Sequence, residues 1–187
     1  MKRNPNKFFF LYLISIVLMA SNCKKDSVEN ELSKLPAVTY TGTNTFGCLV
    51  NGKAFLPSVG PGITSTLRST YDSSIGFLNL FANNTSNKDV MTTVHLQAVG
   101  TLLQENKIYP LTEYSINNKA SGSYELYYPN QGPPSIYYRT NNQTTGTLTI
   151  TKLDLVKHIL SGTFTFDSIN GSGEIVHVTD GRFDVVF

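Results

Sequence analysis

Histidine is the first residue type in this sequence whose spacing could indicate chemistry. The chain contains three histidines: His95, His158 and His177. None stands in a His-x-x-x-His spacing, so no pair is placed to share a metal ion. The dipeptide Asp180-Gly181 predicts a tight hairpin turn, in which His177 would face Asp184 on the outward face, beside Arg182. Such a carboxylate could orient an imidazole for proton transfer. A plain cross-strand surface pair has the same sequence pattern and is the interpretation we favour.

Cysteine gives no sign of catalysis. Cys48 alternates with Phe46 and Val50 and is expected to face Phe55, so we interpret it as a small buried hydrophobe rather than a nucleophile. The sequence contains no Gly-x-Ser-x-Gly, phosphate-binding loop or His-Glu-x-x-His motif. The acidic residues are scattered rather than clustered for calcium. We therefore predict no catalytic residue, no metal and no cofactor.

Tyrosine provides the best candidate for a binding surface. Seven of the ten tyrosines lie between residues 109 and 138, and a tyrosine combines a large apolar face with a polar tip. Strand alternation over residues 124–128 exposes Tyr127 if the tyrosines at both ends point inward. The predicted ligand-binding residues are Tyr127, Tyr137 and Tyr138, for another envelope protein or a glycan. The alternative is that most of these tyrosines pack the rim of the core.

The first 23 residues predict secretion and a lipid anchor. Three basic residues and no acidic one precede an apolar run over residues 8–20. As a helix this run spans about 20 Å, shorter than the ~30 Å hydrocarbon core, as in a signal peptide rather than a membrane span. Ala20-Ser21-Asn22-Cys23 then resembles a bacterial lipobox, in which the Cys23 thiol is acylated. Ala20 and Asn22 differ from the residues usual at those positions.

Removal of residues 1–22 would change the charge of the chain. It takes away three of the 15 basic residues and leaves 12 against 13 acidic ones. No basic excess then remains for a nucleic acid. With Cys23 acylated, Cys48 would have no disulfide partner in the same chain. The expected partner is the lipid bilayer, and the expected location is the cell envelope at the outer membrane, facing either the periplasm or the outside.

The rest of the chain is typical of β-strands. Only 15% of the residues are charged, and Thr, Ser and Asn supply the polarity, which favours strands over surface helices. Asn51-Gly52 predicts a type I′ hairpin that pairs Cys48 with Phe55. We predict a flexible tether over residues 23–38 and one domain over residues 39–187. That domain is predicted as an all-β antiparallel sandwich of nine or ten strands, with a closed barrel as the alternative.

One alternating strand has two distinct faces. In the segment 90–99, Val94, Leu96 and Ala98 share one face, whereas Thr93 and His95 belong to the other.

Two blocks of the sequence resemble a known group of proteins. They are TGTNTFGCLVNGKAFLP (41–57) and GTLTITKLDLVKHILSGTFTFDS…VTDGRFDVVF (146–187), with the cores NTFGCxVNG and SGTFxF…TDGRFD. Together they resemble an uncharacterised family of Bacteroidota lipoproteins, a domain of unknown function. The resemblance implies secretion and a lipid anchor, and it brings no catalytic residues.

The sequence thus leads to three functional hypotheses. The first is a membrane-anchored envelope lipoprotein with a non-enzymatic binding or structural role. The second is a barrel-type carrier of a small apolar ligand. The third, which we rank last, is a hydrolase-like enzyme using His177 and Asp184.

Overall fold

The computed structural model describes residues 28–60, 66–114, 119–130 and 135–187, and these are mostly β-strand. A short helix over residues 28–32 precedes the strands. The strands are β1 (Thr45–Val50), β2 (Lys53–Phe55), β3 (Leu67–Asp72), β4 (Phe77–Asn84), β5 (Met91–Val99), β6 (Lys107–Leu111), β7 (Lys119–Tyr127), β8 (Ser135–Arg139), β9 (Gly146–Asp154), β10 (Ile159–Ile169) and β11 (Ile175–Val186).

The strands form one mixed sheet of 11 strands in the order β2-β1-β11-β10-β9-β6-β7-β5-β4-β3, and β8 pairs with β7 and with β10. The strands pair antiparallel except at Leu111 of β6 and Ala120 of β7, which pair in parallel. The predicted all-β class is confirmed. Over the described residues the path ends at β2 and β3 and no strand ladder joins these ends, so the sheet is not assigned as the closed barrel considered as an alternative.

One face of this sheet surrounds a single apolar core. The buried side chains come from strands along the whole path, among them Phe46 of β1, Leu80 of β4 and Phe166 of β10. Gly122 of β7 is needed for this packing, since a Cβ at that position would lie 2.7 Å from the Phe166 ring. The face of the curled sheet opposite this core carries polar side chains, which are described below.

The Asn51-Gly52 turn forms as predicted. Both residues have positive φ, 49° and 76°, as a type I′ turn requires. Cys48 pairs with Phe55, Leu49 with Ala54 and Val50 with Lys53. The predicted register is confirmed.

The predicted hairpin at Asp180-Gly181 is wrong. Strand β11 runs without interruption through both residues, between β1 and β10. Asp180 has a φ of 54°, and the registers with both neighbouring strands shift nearby. The dipeptide thus forms a β-bulge, in which one strand carries an extra residue. As a result Val178 pairs with Phe166 of β10 instead of with Phe183.

Residues 28–38, which we predicted as part of a flexible tether, pack against the sheet instead. Leu35 is buried. The Glu31 carboxylate accepts a hydrogen bond from the backbone N–H of Ala54 at 2.8 Å, and Arg182 donates to the carbonyl of Pro36 at 3.4 Å. The edge near β1 and β2 is therefore covered by the chain that precedes them.

Candidate functional site

The outer face of the sheet, opposite the core, carries polar and aromatic side chains on four neighbouring strands. Phe81 of β4 pairs with His95 of β5, His95 with Ser123 of β7, and Ser123 with Arg139 of β8. The next row contains Asn83, Thr93, Glu125 and Tyr137 in the same strand order. Directly paired residues project from the same face. The strand register therefore brings the two rows side by side.

These side chains, apart from that of Asn83, line a surface pocket of about 130 Å³ together with Tyr114 from the chain after β6. We call it the outer pocket. Its walls combine one phenylalanine ring, two tyrosines, two aliphatic hydroxyls, an imidazole, a carboxylate and a guanidinium. Convergent polar groups beside aromatic rings orient ligands in small-molecule sites, and the outer pocket, at about 130 Å³, is smaller than most such sites.

Arg139 is held in the outer pocket by aromatic rings. Its Cζ lies over the rings of Tyr114 and Tyr137, at 4.9 Å from each centroid, within the range of a cation–π contact. Over the described ranges, no carboxylate lies within ion-pair distance of Arg139. The two tyrosine rings thus contact the guanidinium, and its N–H groups remain available to a ligand.

Glu125 supplies the opposite charge. It lies across from Tyr137 on β8, and its Oε1 accepts a hydrogen bond from the Ser135 hydroxyl at 2.8 Å. A carboxylate can accept several hydrogen bonds, so this one contact leaves Glu125 with further acceptor capacity toward the pocket.

His95 forms the floor of the outer pocket and is 8% exposed. Its ring stacks on Phe81 with centroids 3.9 Å apart, and its Nε2–H donates to Asn79 Oδ1 at 2.7 Å. Burial lowers the pKa of His95 to about 4, because the charged imidazolium would lose its hydration. The imidazole is therefore neutral at pH 7.

His95 should make the protein less stable as the pH falls from about 6.5 toward 4. In the unfolded chain the imidazole takes up a proton first, so protonation favours unfolding below pH 6.5, up to about 3 kcal/mol near pH 4. Urea unfolding at pH 7 and pH 5 measures this loss. His95→Gln should remove most of it, whereas His177→Gln, at an exposed position, should not. An unchanged pH dependence in His95→Gln would contradict the assignment.

The predicted binding tyrosines divide between the two faces. Tyr137 is 47% exposed and lines the outer pocket, and Tyr127 is 39% exposed but lies outside that lining. Tyr138 is only 2% exposed. It packs beside Tyr124, and its hydroxyl donates to Glu174 at 2.7 Å. The placement of Tyr138 on a binding face is thus wrong, because successive strand residues point to opposite faces.

The predicted pairing of His177 with Asp184 is also wrong. His177 Nδ1 lies 2.7 Å from Asp167 Oδ1 on β10, and both side chains are largely exposed. Asp184 is 1% exposed and pairs with Ser161 of β10. Arg182 contacts Pro36 rather than either residue. Since the bulge displaces the register, these side chains do not converge on one site.

Asp184 instead holds the segment 39–43, which we call the N-terminal latch. Its two oxygens accept six hydrogen bonds, from the hydroxyls of Thr39, Thr43 and Ser161 and the backbone N–H groups of Thr41, Gly42 and Thr43. Burial acts to raise the pKa of Asp184, but these hydrogen bonds outweigh it and hold the pKa well below its usual value. The Asp184 carboxylate therefore has a structural role, because it joins the N-terminal latch to β10.

The two cysteines differ in what the structure shows. Cys48 is fully buried, and burial strongly raises the pKa of its thiol, which agrees with the predicted small hydrophobe. Cys23, the predicted lipidation site, lies outside the described residues.

Within the described part of the chain, no group of three or more potential ligands is placed for a metal ion. No described helix is long and apolar enough to cross a bilayer.

Sequence reasoning missed Arg139, Tyr114 and Glu125. The alternation of β5 places Thr93 and His95 on one face, and the predicted binding residue Tyr137 also lines the outer pocket. The pairing of β5 with β7 and the position of Tyr114 after β6 bring the remaining residues to the same pocket.

The family described as a domain of unknown function, DUF6252, matches residues 65–186. The match includes β3 to β11 and every residue that lines the outer pocket, and the NTFGCxVNG block precedes it. No curated protein and no solved structure matches the chain. Because the match extends over more than half of the 187 residues, the chain belongs to the DUF6252 family, a domain of unknown function.

Proposed function

We propose that this protein is a non-enzymatic binding lipoprotein of the cell envelope, which holds a small polar ligand in the outer pocket. The observation that carries the proposal is the position of Arg139 over the rings of Tyr114 and Tyr137. A cation that contacts two aromatic rings and has no carboxylate partner within the described ranges is available to a ligand and loses less side-chain entropy on binding.

The envelope location is supported by the sequence. A basic segment, a short apolar run and the lipobox-like Ala20-Ser21-Asn22-Cys23 are the features of a lipoprotein signal. The resemblance to Bacteroidota lipoproteins favours the same location. In this proposal the bilayer is a partner through acylated Cys23, and an outer-membrane lipoprotein would present the pocket to the periplasm or to the outside.

The geometry favours neither of the other two functions. A carrier of an apolar ligand needs an open lumen, whereas the rings of Phe46, Phe164 and Phe166 pack against one another inside the curled sheet. An enzyme based on His177 and Asp184 needs the two side chains in contact, and they contact different residues.

Binding at the outer pocket should depend on Tyr137 and not on Tyr127. Both tyrosines are exposed, so replacing either by alanine should change stability by less than about 0.5 kcal/mol. The full-length protein in detergent is screened by thermal unfolding against amino acids, carboxylates, monosaccharides and nucleotides. A ligand at about 100 times its Kd stabilises by roughly 2.7 kcal/mol. At least one class should stabilise wild type and Tyr127→Ala but not Tyr137→Ala.

Two outcomes would count against this function. If no compound class stabilises the wild type, the outer pocket has no small polar ligand. If a compound binds Tyr137→Ala as tightly as wild type, it binds somewhere else.

A further inference from the structure

We infer that the ligand of the outer pocket is a small zwitterion of the α-amino-acid type, with its carboxylate on Arg139 and its ammonium group on Glu125. The inference rests on the proposed binding function and adds the chemical class of the ligand. It follows from the arrangement of the two charged side chains and from the size of the pocket.

Arg139 selects a planar anion. A guanidinium presents its N–H groups in a rigid fork that matches the two oxygens of a carboxylate. The rings of Tyr114 and Tyr137 fix the position of this fork. Within the described ranges no protein carboxylate occupies it. Arg139 is exposed, so its N–H groups are accessible to a carboxylate from outside the chain.

Glu125 excludes a simple anion. Arg139 of β8 pairs with Ser123 of β7, and Glu125 lies two residues after Ser123 on β7. The two charged residues are therefore diagonal neighbours, roughly 7 to 8 Å apart at Cα. They line the same pocket without forming an ion pair. An anion alone would be repelled by Glu125, and a cation alone by Arg139. A ligand with both charges, a few ångströms apart, satisfies each of them.

The other walls agree with a small ligand of zero net charge. Neutral His95 adds no charge, so the pocket itself is balanced between Arg139 and Glu125. Its volume of about 130 Å³ limits the ligand to a small molecule. That space admits one zwitterionic head with a short side chain, which Phe81 and Tyr137 can contact through their rings.

The test compares L-alanine with its two single-charge analogues, propionate and ethylammonium, by calorimetric titration of the full-length protein in detergent. Wild type should bind L-alanine at least about tenfold more tightly than either analogue. Arg139→Gln should weaken L-alanine binding by about 100-fold, the loss typical of a charge-assisted contact. The matched control Arg182→Gln replaces an arginine outside the pocket and should bind as wild type does.

Glu125→Gln provides a readout that structural damage would not imitate. It should weaken L-alanine binding and at the same time tighten propionate binding relative to wild type, because the repulsive carboxylate is gone. If propionate binds wild type as tightly as L-alanine does, the role of Glu125 is overturned. If glucose binds through Tyr137 and L-alanine does not, the zwitterion is overturned while the binding function stands. If no compound of any class binds, both are overturned.

Discussion

Replacement of Asp184 by alanine should lower the free energy of unfolding by about 3 to 5 kcal/mol. The carboxylate accepts six hydrogen bonds and joins the N-terminal latch to Ser161 of β10. Its removal leaves the buried Ser161 hydroxyl and five part-buried donors of the latch without this acceptor, and a buried unsatisfied donor costs about 1 to 3 kcal/mol. Equilibrium unfolding in urea at pH 7 measures the change.

Asp167→Ala is the matched control. Asp167 is a half-exposed aspartate whose side chain, among the described residues, pairs with exposed His177, so its replacement should cost less than about 1 kcal/mol. A loss of similar size in both variants would contradict the structural role of Asp184.

The same carboxylate has a consequence for acid stability. Because the pKa of Asp184 is lowered in the folded protein, its contribution is complete above the unfolded value of about 4 and is lost as the pH falls below it. Asp184→Ala should lack this part of the acid dependence.

Replacement of Cys23 by alanine should release the protein from the membrane. Each buried acyl CH₂ contributes about 0.8 kcal/mol, and two or three chains together anchor a protein stably on a bilayer. Wild type should therefore sediment with membranes and partition into detergent, whereas Cys23→Ala should be recovered in the soluble fraction.

Cys48→Ala is the control for this experiment, since it removes the buried thiol and leaves the lipobox-like segment intact. It should remain with the membranes. An intact mass of the wild type that shows no acyl groups, or a soluble wild-type protein, would end the lipoprotein proposal.

Two turn signals in the sequence had different outcomes for a physical reason. Asn51-Gly52 forms its hairpin because strands β1 and β2 are adjacent along the chain and no other strand competes for β2. Asp180-Gly181 has similar turn chemistry, but β1 and β10 pair with β11 on both sides through the whole segment. The positive φ of Asp180, which would suit a turn, occurs in a β-bulge instead. Local sequence determines such a conformation only where long-range pairing permits it.

In the candidate site, too, local sequence predicts some features and the pairing of strands decides others. Alternation along β5 correctly separates Val94 and Leu96 from His95, since it depends only on strand geometry. Alternation also excludes a common face for Tyr137 and Tyr138, although we had grouped them. The same alternation places Arg139 on the face of Tyr137, two residues earlier on β8. Its place beside Ser123 depends on the pairing of β8 with β7, and its ring contact with Tyr114 depends on a loop from elsewhere in the chain.

The packing of residues 28–38 against the sheet sets the height of the domain above a membrane. With Cys23 acylated, the covalent chain from its Cα to that of residue 28 reaches at most about 18 Å, however residues 24–27 are arranged. The domain would then move within a thin layer at the lipid surface, where its encounters with other anchored molecules are governed by a raised effective concentration.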